Sequence, residues 1–134
     1  MKHKFIPLLA LALTFSAMAE CHAGEKLYTF INTKGEILFT PRFKYLSNFK
    51  EGLAVASEDN NTYGFIDISG KYVIPPKFLW ANSFSEGVAA VRLHNDEQRV
   101  ERYIDRNGDF QLGTYSYCGS FHDGLAKVCL EEKS

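Results

Sequence analysis

One six-residue phrase is written three times along this chain, and its spacing limits the fold more than any other feature. Phe49-Lys50-Glu51-Gly52-Leu53-Ala54 returns as Phe84-Ser85-Glu86-Gly87-Val88-Ala89, then as Phe121-His122-Asp123-Gly124-Leu125-Ala126. Gly52 and Gly87 lie 35 residues apart, and Gly87 and Gly124 lie 37 apart. A second marker keeps step: Asn32-Thr33-Lys34-Gly35, Asp67-Ile68-Ser69-Gly70 and Asp105-Arg106-Asn107-Gly108. Fixed periods of this size indicate stacked repeats, each burying its apolar face against its neighbours.

The middle copy shows what one unit is. Tyr63-Gly64-Phe65-Ile66 and Lys71-Tyr72-Val73-Ile74 are short runs rich in aromatic and β-branched residues, as strands prefer. Between them, Asp67 and Gly70 occupy the first and last positions of a type I turn with a glycine bulge, so the pair reads as a hairpin. Asp105 and Gly108 repeat it. Pro75-Pro76 is expected to end the second strand, because proline cannot donate to a ladder. The acid-glycine step at Gly52, Gly87 and Gly124 then reverses the chain into a third strand. The expectation is an all-β fold of three tandem units of about 35 residues, with about three short strands each. They form one open array, propeller-like or solenoid-like. The units span 28–62, 63–100 and 101–130 within a single domain, 27–130, with no linker between them.

Residues 1–19 read as an export signal: a basic start at Lys2 and Lys4, an apolar stretch, and Ala17-Met18-Ala19 as a cleavage site, with a second option after Ala23. The apolar run is shorter than the roughly 20 residues that cross a bilayer. The remaining chain carries thirteen Lys and Arg against sixteen Asp and Glu, a net charge of −3, with no basic cluster. Nucleic acid and membrane insertion are therefore poor expectations. In an exporting context, Cys118 and Cys129 are a candidate disulfide, since both cysteines are additions to the same unit. Two independent small-residue positions are the alternative.

Tyr63-Gly64-Phe65-Ile66-Asp67, Gly70-Lys71, Val73-Ile74-Pro75 and Phe84-Ser85-Glu86-Gly87-Val88-Ala89 together resemble the WG-repeat family of bacterial β-repeats. The likeness covers nearly all of the chain after the signal. Tyr63 stands for the name-giving Trp, Thr29 and Arg102 stand for its Gly, and the third unit lacks the proline. The resemblance implies a β-repeat fold and a binding or scaffolding role, with no catalytic residues to carry over.

The recurring acids Glu51, Glu86 and Asp123 are read as turn-setting residues rather than a functional row. Asp105-Arg106-Asn107-Gly108-Asp109 alternates ligands as calcium loops do, but lacks the glycine and distal Glu they need. No nucleophile elbow, zinc spacing or phosphate loop is present, so neither cofactor nor metal is expected. Tyr45, Trp80 and Tyr117 are read as core before ligand platform. The candidate partner-binding residues are Glu58, Asp59 and Asn60, with His94, Asn95, Asp96 and Glu97, on the two polar loops that join successive units.

These features lead to a periplasmic or secreted module that binds a protein or envelope polymer without catalysis. Two rival readings stand beside it. One is a small secreted enzyme with its site in a groove between units. The other is a structural envelope protein that self-associates through its edge strands.

Overall fold

A computed structural model describes residues 24–131. The proposed signal segment, both cleavage sites and Cys21 lie outside the described residues. Those residues form β-strands, turns and loops, with no helix among them.

The strands are β1 (Tyr45–Leu46), β2 (Ala54–Ser57), β3 (Tyr63–Ile66), β4 (Tyr72–Ala81), β5 (Ala89–Leu93), β6 (Glu101–Ile104), β7 (Phe110–Tyr115), β8 (Tyr117–Cys118) and β9 (Val128–Cys129). β1 to β7 form one antiparallel sheet in chain order, and β8 pairs with β9. Within each unit the chain runs first strand, second strand, third strand. The third strand of one unit then pairs with the first strand of the next, as β2 with β3 and β5 with β6. The sheet therefore continues across unit boundaries. That continuity separates it from a propeller, whose blades are separate sheets.

The hairpin turns form as their residues dictate. Asn32, Asp67 and Asp105 each accept two main-chain N–H groups through Oδ1, from residues two and four further on. The amides of Gly35, Gly70 and Gly108 close the turns onto the carbonyls of those same residues. Gly70 holds φ 87°, the left-handed position that a side chain rarely tolerates.

The Pro75-Pro76 expectation fails here. β4 runs through both prolines as one ten-residue strand. Opposite it, Tyr63 faces Phe78 while Phe65 faces Ile74, so the prolines sit in a bulge where no ladder N–H is needed. The bulge closes down on Gly64, where a Cβ would lie 2.6 Å from the Ile74 carbonyl oxygen and 2.8 Å from the Pro76 nitrogen. The glycine of the repeat is thus explained by the prolines that cover it. The other two units solve the same crowding differently. Thr29 donates its hydroxyl to the Phe39 carbonyl at 2.6 Å, the counterpart of the Ile74 carbonyl. Opposite Arg102 the register skips over Leu112 and Gly113, both at positive φ, and this bulge makes room for a long side chain.

The core comes as three overlapping clusters rather than one. Phe39, Phe43, Ala54, Ala56 and Ile66 form the first. Leu53, Val55, Phe65, Ile74, Phe78, Phe84, Ala89, Val91 and Ile104 form the second. Ala90, Tyr103 and Cys118 form the third. β2 gives alternate residues to the first and second clusters, and β5 to the second and third, as a period of two requires. These shared strands are buried on both faces and rich in alanine, which lets successive layers approach closely. One aromatic pair marks every unit: Phe30 on Phe49 at 4.8 Å, Phe65 on Phe84 at 4.9 Å, and Tyr103 on Phe121 at 5.2 Å between ring centres.

Candidate functional site

The acid-glycine steps are two-residue hairpins with both central residues left-handed: φ is 54° at Glu51, 51° at Glu86 and 53° at Asp123, each followed by a left-handed glycine. A glutamate in that region costs about 1 kcal/mol. Its carboxylate offsets the cost by reaching the next unit. Glu51 accepts the Glu86 amide at 2.6 Å and the Gly87 amide at 3.0 Å, and Glu86 accepts the Gly124 amide at 2.9 Å. Sequence spacing shows only the turn. The carboxylates are in fact a row, in which Glu51 and Glu86 each tie one turn to the following one.

The inter-unit loops are built around their own acids. Asp59 accepts the amides of Asn61 at 2.8 Å and Thr62 at 2.9 Å, together with the Ser57 hydroxyl at 3.1 Å. Those amides above all hold its carboxyl down to about 2. Asp96 accepts the Gln98 amide at 3.0 Å and pairs with Arg102 at 3.3 Å, with little of its side chain exposed. Asp59 and Asp96 therefore hold the loops in shape; Glu58, Asn60, His94, Asn95 and Glu97 are exposed, as Asp59 itself is. Glu58 lies 3.6 Å from Arg42, which precedes β1. The 93–100 loop, with Lys77, Leu79 and Arg102 beside it, walls three adjoining open concavities of about 420, 340 and 480 Å³. Residues 58–60 line none of these three.

Tyr45, Trp80 and Tyr117 are not core. They are 42%, 37% and 46% exposed, each pointing outward from its strand. The buried aromatics are instead Phe39, Phe43, Phe65, Phe78, Phe84 and Tyr103. Alternation alone does not find these positions. Trp80 is two residues from buried Phe78, but the register shift between them turns the intervening stretch over.

Cys118 and Cys129 are both free thiols, a second correction. β8 and β9 pair with Tyr117 opposite Cys129 and Cys118 opposite Val128. A one-residue offset across an antiparallel pair puts the two sulfurs on opposite faces. Cys118 is buried against Tyr103, and burial pushes its thiol from 9.0 up to about 11, while Cys129 is exposed. A thiol reagent should modify Cys129 in the native protein and modify Cys118 on the order of a hundredfold more slowly, as peptide mapping of a time course would show. A linked Cys118–Cys129 peptide, or equal rates, would contradict this.

Asp105 is occupied as well: its second oxygen takes the Gln111 side-chain amide at 3.0 Å while the first holds the turn. Among the described residues, no three His, Cys, Asp or Glu side chains gather as metal ligands would.

An open antiparallel meander, made of three copies of one β-unit joined third strand to first, is the architecture of a β-repeat protein. The family model described as WG containing repeat matches residues 28–61, 63–96 and 102–133, and the chain belongs to that family. No curated protein matches the chain, and no solved structure does.

Proposed function

We propose that the protein is an exported, non-catalytic binding module that recognises a protein or an envelope polymer through the loops joining its units. The observation that carries this reading is the 93–100 loop. It is longer than the loop at 57–62, it is held rigid by Asp96 and Arg102, and it projects His94, Asn95 and Glu97 around adjoining hollows. A polar loop fixed by its own carboxylate loses little freedom when a partner binds, which favours recognition. The hollows suit side chains or sugar rings rather than an enclosed small molecule. Exposed Trp80, on the strand beside the loop, adds a face on which a peptide or glycan ring can stack.

The test is crosslinked co-purification of the protein from its own cell envelope, beside a variant whose residues 94–99 are replaced by an Asn-Gly turn. The expected result is one dominant partner, lost in the variant while the circular dichroism spectrum is retained. Unchanged capture by the folded variant would remove the loop from the reading.

A further inference from the structure

The junction between units occurs twice among the described residues, and both halves of a third junction stand exposed at their two ends. Both internal junctions have one register. Ala54 faces Ile66 and Ala56 faces Gly64 in the first, and Ala89 faces Ile104 and Val91 faces Arg102 in the second. The counterparts of the facing strands are residues 126–129 of unit three and residues 28–31 of unit one. Burial follows the same logic. Ile66 and Ile104 are fully buried, whereas Ile31, at the equivalent place, is 64% exposed. Leu53 is 3% exposed and its counterpart Leu125 is 76% exposed.

The turns repeat the pattern. Gly70 sits against the Phe39 ring and Gly108 against Ile74, so each hairpin turn caps an apolar residue of the preceding unit. Gly35 has nothing within 4 Å of where its Cβ would be, and Leu112, the residue equivalent to Phe39 and Ile74, is 58% exposed. The row of carboxylates is also unfinished. Glu51 and Glu86 each hold the next turn's amides, while Asp123 ends the row, and no described acid reaches the amides of Glu51 and Gly52.

We propose that the protein assembles head to tail with further copies of itself, residues 28–31 of one copy pairing with residues 126–129 of the next as β3 pairs with β2. The occupant is a second copy because each end of the chain carries the complement of the other, in the register the chain itself uses twice. Strand edge, apolar cap and carboxylate all complete at once. The contact is heterologous, so it propagates into a ring or a filament rather than stopping at a symmetric dimer. It also hides two strand edges that would otherwise pair indiscriminately. This assembly does not depend on the loop-based reading above, since the 93–100 loop lies at an internal junction and stays outside the contact.

The register gives a sharp test. Transferring Arg92 opposite Glu101 to the new junction sets Cys129 opposite position 28 of the next copy. In a Cys21→Ser background, Tyr28→Cys should give an intermolecular ladder under mild oxidation, and Ile31→Cys, on the other face and out of register, should not. Sedimentation of the purified protein should show mass rising with concentration. Ile31→Glu, at a position exposed in the single copy, should weaken that association by at least about tenfold without changing the circular dichroism spectrum. A protein that stays monomeric at every concentration overturns the proposal, including the case where another β-repeat protein fills the edge. Equal crosslinking at positions 28 and 31 overturns it too, as does undiminished association of Ile31→Glu.

Discussion

Gly64→Ala should destabilise the protein by about 3 kcal/mol, lowering the melting temperature by roughly 12–20 °C for a domain of this size. The added methyl would lie 2.6 Å from the Ile74 carbonyl oxygen, 2.8 Å from the Pro76 nitrogen and 2.9 Å from the Pro75 carbonyl carbon. All three are backbone atoms, so no side chain can swing away. Relief requires the proline bulge to lift, and the bulge is seated between Ile74 and Phe78, both in the central cluster. Gly87→Ala is the matched control. It too places a methyl on a glycine of the repeat, but nothing lies within 4 Å, and the cost is only the strain of φ 87°, about 1 kcal/mol. Thermal melts of the two variants separate close approach from backbone conformation. If Gly64→Ala melted within a few degrees of Gly87→Ala, the bulge would have to be far softer than its packing implies.

That glycine also shows where sequence reasoning stops. The hairpins at Asp67 and Asp105 were readable because a turn is local: an acceptor side chain, then a glycine three residues on, suffice to specify it. The period gave the number of units for the same reason, since identity of spacing needs no geometry. Pro75-Pro76 does not end the strand because the rule against proline assumes an unbroken ladder, and a bulge removes the donor requirement. The exposure of Tyr45, Trp80 and Tyr117, and the choice between a Cys118–Cys129 disulfide and two independent cysteines, are not legible in the sequence, because both depend on register. A single-residue shift exchanges the two faces of a strand while leaving the sequence pattern unchanged. The loop acids fall between these cases. Asp59 and Asp96 were rightly placed on inter-unit loops, but only the structure shows their oxygens committed to loop amides and to Arg102. Glu51 and Glu86 are legible as turn residues, but their reach into the next turn spans 35 to 38 residues, beyond any local signal.

Glu101→Ala should cost about 3 kcal/mol, and removing Arg92 in the same chain should add less than about 0.5 kcal/mol. Glu101 stands where units one and two carry Tyr28 and Tyr63, and its side chain is only 6% exposed. One oxygen takes the Arg92 guanidinium at 2.7 Å and the other takes the Cys118 amide at 2.7 Å. Truncation strands both donors, but unequally. Arg92 is 36% exposed and can turn into water, whereas the Cys118 amide is buried with the third cluster and has no second acceptor among the described residues. The loss should therefore be dominated by the amide, which is why the second substitution changes little. Urea melts of the two variants measure this, and a Glu101→Ala protein within about 1 kcal/mol of the parent would refute it. The ion pair has a further consequence in a chain of near-identical units. Pairing β2 with β6 by mistake would set buried Ser57 against Glu101 with no cation to meet it, and pairing β5 with β3 would leave Arg92 facing Tyr63. Arg92 and Glu101 satisfy each other only when the third unit follows the second, so the pair selects the correct order of strands as well as stabilising it.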